Sequence, residues 1–175
     1  RDELLAVDDE HGARVGLIER AAVRPLGIAT RAVHLIGWAE QGGVWVQQRA
    51  LNKATDPGQW DTLMGGMVSA ADTLQTALAR ETWEEAGLRL DALEAITHGG
   101  RITTRRPSTD GRGAGYVVEH IDWYHCVVPV DMEPVNQDGE VAQFGLWEPR
   151  EVLARMPQEH FTTEAALILA AALGY

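Results

Sequence analysis

Short apolar segments along this chain switch between two rhythms, one that suits strands and one that suits helices. The stretches "RAVHLIGWAE" and "GVWVQQRAL" are rich in β-branched and aromatic residues and meet at "QGG", which predicts a β-hairpin. Earlier, "LLAVDDEHGARVGLIERAAV" has the same form on a smaller scale: an apolar run, a turn of Asp, Glu, His and Gly, and a second apolar run. It predicts an N-terminal hairpin. "NKATDPGQWDTLMGGMV" carries Pro57, Gly58, Gly65 and Gly66 and predicts a loop, with a short extended piece near Leu63 and Met64. From about Thr73 to Ala86 the residues are good helix formers, and Gly87 stands where a C-cap glycine belongs. Asp72 or Thr73 is the candidate N-cap, and Ser69 with Asp72 offers an earlier capping box.

Beyond this helix, "LEAITHGGRITT" and "HIDWYHCVVPV" read as strands, with "TRRPSTDGRGAGY" between them as a mobile loop. "DGEVAQFGLWEP" predicts a turn and a strand. "PREVLARM" and "TTEAALILAAALGY" predict two helices, the second apolar on several faces and therefore packed inward. Strands and helices interleave without repeats or low-complexity tracts, which favours a single α/β domain. Residues 1–27 then form a hairpin extension and residues 28–175 the main domain.

Composition adds limits. A chain of 175 residues with 45% hydrophobic content can bury a full core. Its formal charge of -11 argues against nucleic acid polymers and anionic membrane surfaces as partners, so an anionic ligand must be met by local arginines or by metal cations. No apolar run approaches the roughly 20 residues needed to span a bilayer, and the start "RDELLAVDDE" is too acidic for a signal peptide. The single cysteine, Cys126, cannot close an internal disulfide, which suits a reducing compartment and makes the cytoplasm the expected location.

Within the helix, "ARETWEEAGL" places Glu84 and Glu85 three and four positions after Glu81. At about 100° per residue all three share one stripe. Like charges at these spacings destabilise an isolated helix by a few tenths of a kcal/mol per pair, and acids near its C-terminus also oppose the helix dipole. A solvated acidic face with Arg80 bridging to Glu84 is one explanation. A site for Mg²⁺ or Mn²⁺ is the other, because these ions take carboxylates and are completed by phosphate oxygens.

The wider frame runs from Gly66 through five residues to Asp72, then seven residues to Arg80-Glu81-Thr82-Trp83-Glu84-Glu85-Ala86-Gly87-Leu88. This 23-residue stretch resembles the Nudix box, the glycine-loop-helix motif of hydrolases that cleave a diphosphate linked to a further group. The resemblance implies an α/β/α sandwich around a mixed sheet, of the α+β type. It implies that Glu84 and Glu85 are main metal ligands, that Glu81 is a further ligand or the base for water, and that Arg80 orients these carboxylates. It also puts the Gly65 carbonyl in the metal shell. Two positions depart from the box: Asp72 replaces the usual Glu, and Thr82 a bulky aliphatic. "RALNKATDPGQWDTLMGGMV" is similar to Nudix proteins related to isopentenyl diphosphate isomerase, and to the Nudix module associated with thiamine pyrophosphokinase. "VPVDMEPVNQDGEVAQFGLWEPREVL" and "FTTEAALILAAAL" look closer to the second group. That similarity implies a small-molecule diphosphate substrate, with thiamine diphosphate or an oxidised analogue as a lead, and is compatible with a homodimer.

Other residues complete the expected site. Glu140 in the turn "QDGEV" is the first candidate for a further metal carboxylate and Glu119 the second. Arg49 is a candidate phosphate contact, and Trp60 and Met64 are candidates to line the organic end of the ligand. Arg101, Arg105, Arg106 and Arg112 make the following loop locally basic and suggest a lid over phosphates, with Arg105 as its substrate contact. His125 receives no role. Three functions stay open: a Mg²⁺-dependent pyrophosphohydrolase, a non-catalytic diphosphate-binding module, and an isomerase. The isomerase family carries a cysteine and a metal-binding histidine just after the tryptophan of "K-x-x-x-P-G-x-W", whereas Asp61 to Met67 supply neither.

Overall fold

The structure is a computed structural model and describes residues 3–108, 115–158 and 160–175. Arg112 of the expected lid lies outside these residues.

The fold is built on β3 (Ala29–Ala39), whose side chains are buried on both faces over most of its length. It runs parallel to β8 (Tyr116–Val128) along its whole length, from Ala29↔Val118 to Ala39↔Val128. On its other edge two strands share it. β4 (Val44–Arg49) pairs antiparallel with only Gly37 and Trp38, while β6 (Met64–Met67) pairs antiparallel with Ala32 to Leu35. β4 therefore diverges from β3 and pairs onward with β5 (Trp60–Asp61) and β9 (Val141–Trp147). β7 (Glu94–Pro107) completes the seven-stranded mixed sheet as the antiparallel partner of β8.

Helix α2 (Leu74–Ala86) covers one face and buries Ala77, Leu78 and Ala86 against Val33, Leu35, Leu63 and Met64. Helices α3 (Pro149–Arg155) and α4 (Thr163–Ala172) cover the other, where Val152, Ala165, Ile168 and Leu169 pack on Ile36, Val46 and Ile121. Burying a side chain such as Ile168 or Leu169 contributes about 1.5–3 kcal/mol. The result is the expected α/β/α sandwich around a mixed sheet.

Two local expectations are corrected and one is extended. The N-terminal hairpin forms as β1 (Leu4–Asp8) and β2 (Arg14–Glu19), but "RAAVRPL" is helix α1 (Arg20–Leu26) rather than a continuation of the strand. Ala21 and Ala22 favour helix, and Gly27 closes it in the left-handed conformation with its N–H on the carbonyls of Val23 and Arg24. The short extended piece expected near Leu63 and Met64 is the strand β6, which runs on to Met67. Finally, Arg105 to Pro107 belong to β7, not to a loop, because the ladder with β8 continues to Pro107↔Tyr116. Pro107 stands at the strand end, where a missing N–H costs least.

Candidate active site

Helix α2 begins at Thr73, whose hydroxyl accepts the Thr76 N–H while the Thr76 hydroxyl accepts the Thr73 N–H. Asp72 stands just outside, bound to Ser69, Thr76 and Arg80. The helix ends at Gly87 (φ 62°), whose N–H returns to the carbonyls of Thr82 and Trp83. Between these caps Glu81 and Glu85 are buried, at 7% and 2% exposure, one turn apart and facing the glycine strand β6. The Gly65 N–H donates to Glu85 Oε2 (3.1 Å), and Gln47 Nε2 donates to the same oxygen (2.8 Å). Thr82 is fully buried and donates to the Leu78 carbonyl, so this departure from the box faces the core.

Arg80 ties the carboxylates together. Its Nη1 donates to Glu81 Oε1 (2.7 Å) and Glu84 Oε2 (3.2 Å), and its Nε and Nη2 both donate to Asp72 Oδ2. Burial alone would lower the guanidinium pKa; Asp72 and Glu81 more than offset this and hold it as a cation. Lys53 plays the same part across the site, pairing with Glu140 and standing 3.9 Å from Glu85 Oε1. Even so, burial pushes the Glu85 carboxyl up to about 8; Lys53, Gln47 and Gly65 oppose that shift and Glu81 adds to it.

Glu81, Glu85, Gly65 and Glu140 line one cavity together with Asp61, Glu119 and Glu164. The opposing charge comes from Arg20, Arg24, Arg49, Lys53 and Arg106. Five of the fifteen basic residues of an acidic chain thus converge on one cavity. Glu84 is half-buried, paired with Arg80, and not part of the cavity wall. Among the described residues no three carboxylate, imidazole or thiolate groups are closed around a single point; Arg80 and Lys53 hold the carboxylates instead. The donor set nevertheless fits a hard divalent ion: carboxylate oxygens with a glycine backbone against them.

Arg49 lines the cavity, with Nε and Nη2 on the carbonyls of Thr55 and Asp56 and Nη1 3.6 Å from Asp61. Trp60 and Arg105 are corrections. Trp60 is 8% exposed and lies in the core with its ring centroid 4.5 Å from that of Trp147, so it offers no free face for stacking. Met64 is likewise fully buried in the core. Arg105 is exposed on the sheet face away from the cavity, because strand alternation turns Arg106 inward in its place. Arg101 binds the buried Asp122, which also accepts from His98 Nε2 at 3.0 Å. Cys126 is fully buried and its thiol is pushed up to about 12 by that burial, far from a reactive thiolate at neutral pH.

Sequence reasoning missed Lys53, Arg20, Arg24, Asp61 and Glu164, and it named Arg106 only as part of a basic lid with Arg105 as the substrate contact. Lys53 stood inside a quoted motif without a role, and Arg106 would have followed from extending β7 by period two. Arg20 and Arg24 required the helix α1.

The NUDIX domain family model matches residues 29–168, and the chain belongs to this family. An uncharacterised Nudix hydrolase of Pseudomonas aeruginosa is 39% identical over 87 residues, 50% of this chain and 52% of that protein. An isopentenyl-diphosphate Delta-isomerase of Streptomyces avermitilis is 29% identical over 171 residues, 97% of this chain and 83% of that protein. The chain spans about half the length of the curated Nudix hydrolases it matches. A crystal structure from Deinococcus radiodurans has a TM-score of 0.75 over 95% of this chain and 97% of that one, at 23% identity, and shows the shared fold. No helix among the described residues is long and apolar enough to cross a membrane.

Proposed function

We propose that this chain is a divalent-metal-dependent pyrophosphohydrolase acting on a small organic or nucleoside diphosphate, with Mg²⁺ as its ion and Mn²⁺ as a substitute. The observation that carries this reading is the cavity in which Glu81 and Glu85 face Arg20, Arg24, Arg49, Lys53 and Arg106. Carboxylates and cations on one wall system suit a ligand that brings both metal and phosphate. Glu81, Glu84, Glu85, Glu140 and the Gly65 carbonyl would hold the metal, with Glu119 on the same cavity wall. Bound metal supplies a water of lowered pKa and neutralises phosphate oxygens.

The remaining work falls to this chain's own side chains. Arg49 and Lys53 meet phosphate oxygens, which places the diphosphate between the two strands that part at β3. Glu81 accepts the proton of the attacking water, and Arg80 fixes the rotamers of Glu81 and Glu84 for that transfer. Burial of Glu81 and Glu85 keeps bulk water from screening these charges. Thiamine diphosphate and its oxidised analogues are the first substrates to test, on the similarity of residues 128–153 and 161–173 to the thiamine-associated module. The isomerase reading lacks its catalytic cysteine and metal-binding histidine here, since Asp61 to Met67 contain neither and Cys126 is buried.

The test is incubation with Mg²⁺ and a panel of thiamine diphosphate, its oxidised forms, ADP-ribose, nucleotide sugars and coenzyme A, following phosphate or monophosphate release. Turnover of at least one compound, abolished by EDTA, is expected. No turnover of any would favour a diphosphate-binding module.

A further inference from the structure

Gln47 lies in the interior of β4 and is 1% exposed, opposite Asp61 of β5 on one side and Phe144 of β9 on the other. Strand alternation puts it on the face of Trp45, which packs against the apolar cluster beneath α2. Leu or Met would fill such a position without burying a polar group. Gln47 instead carries a side-chain Oε1 that is buried and has no hydrogen-bond partner among the described residues. An orphaned acceptor of this kind costs about 1–3 kcal/mol. The amide is not part of the cavity wall, so no ligand in the cavity completes it.

The other end of the amide is where it acts. Gln47 Nε2 donates to Glu85 Oε2 at 2.8 Å, and the Gly65 N–H donates to the same oxygen at 3.1 Å. Glu85 Oε1 takes neither bond; Lys53 Nζ, on the cavity wall, stands 3.9 Å from it. The terminal torsion of a glutamate is soft, so a single donor leaves the carboxylate able to turn. Two donors from different strands, Gln47 on β4 and Gly65 on β6, hold one oxygen and thereby decide which oxygen is turned outward.

We propose that Gln47 is a positioning residue for the metal site: it commits Glu85 Oε2 to the protein and presents Oε1 to the divalent ion, which is why β4 keeps a buried amide at this place. The proposal rests on the reading of Glu85 as a metal ligand. Gln47 touches neither ion nor substrate and acts through Glu85 alone. Partners of this kind contribute about 10–100-fold in metal affinity.

The experiment is Mn²⁺ binding in the absence of substrate, read by electron paramagnetic resonance, for wild type, Gln47→Met, Glu85→Gln and the double variant, with a thermal melt of each. Met matches the shape of Gln and removes both the donor and the orphan, so Gln47→Met should melt close to wild type. Its Mn²⁺ dissociation constant should nevertheless rise about 10–100-fold, and that of Glu85→Gln at least as much. The double variant should bind no more weakly than Glu85→Gln, since the two residues act as one unit. Gln47→Leu gives the same reading should Gln47→Met fold poorly. Mn²⁺ affinity within about twofold of wild type in either Gln47 variant, or additive losses in the double variant, would overturn the proposal and leave Glu85 as a ligand. Wild-type affinity in Glu85→Gln, or no Mn²⁺ binding by wild type, would refute the metal reading and the proposal with it.

Discussion

A Cβ built on Gly66 would lie 2.2 Å from Glu81 Cδ and 2.6 Å from its Oε1, so the carboxyl group fills the space that any side chain at position 66 would need. Gly66 does not have a positive φ; the constraint is volume, not backbone conformation. Gly66→Ala should therefore displace Glu81 and lower turnover at least about a hundredfold, while the overpacking costs about 1–3 kcal/mol of stability. Turnover and a denaturant melt read the two effects separately. Wild-type turnover in this variant would show that the position of Glu81 is unimportant.

Strand alternation makes a sharp distinction between two adjacent arginines. Arg106 lines the cavity and Arg105 is exposed on the opposite face. Arg105→Ala should leave kcat/KM within about twofold, and Arg106→Ala should lower it at least tenfold, on the scale of a lost hydrogen bond to a charged group. Steady-state kinetics of the two variants side by side checks this.

Trp60 is a core residue against Trp147 rather than a stacking platform. Trp60→Ala should cost about 3–5 kcal/mol of stability, as large-to-small core changes do. The milder Trp60→Phe should leave KM close to wild type. A large KM increase in the folded Trp60→Phe protein would return Trp60 to the ligand.

How much of this was legible in the sequence depends on the range of the interaction. Helix α2 was readable nearly to its ends because good helix formers and the Gly87 cap are local signals, and the stripe of Glu81, Glu84 and Glu85 follows from helical spacing alone. The β3–β4 hairpin was equally local. The pairing of β6 with β3 was not, since four residues rich in glycine carry no strand signal and are held by the long-range register from Ala32↔Met67 to Leu35↔Met64. The face of Arg106 depended on how far the β7–β8 ladder runs. The burial of Trp60 depended on Trp147, 87 positions away. Glu164 was hidden in an apolar helix whose first turn happens to face the cavity.

Asp72 links the helix start to Arg80 and gives a pH dependence. Burial would raise its pKa, but hydrogen bonds from Arg80, Ser69 and Thr76 and the Arg80 charge outweigh this and hold it below 3.8. A depressed folded-state pKa stabilises the fold above the unfolded value, and that contribution is lost as pH falls through the folded value. Asp72→Asn should therefore melt below wild type at pH 7, and the gap should close as pH drops below 3.8. A gap that persists in acid would assign the effect to shape rather than charge. Asp72→Glu, the usual residue of the box, should retain the gap over Asp72→Asn.

The central claim is that the buried carboxylates of α2 hold a divalent ion for diphosphate cleavage, and Glu85 tests it most directly because Glu85→Gln removes the carboxyl group as a metal ligand with almost no change of shape. On the best diphosphate substrate, with Mg²⁺ titrated, this variant should retain the wild-type circular dichroism spectrum and lose at least about a hundredfold in turnover. Near wild-type turnover at the same Mg²⁺ dependence would contradict the account.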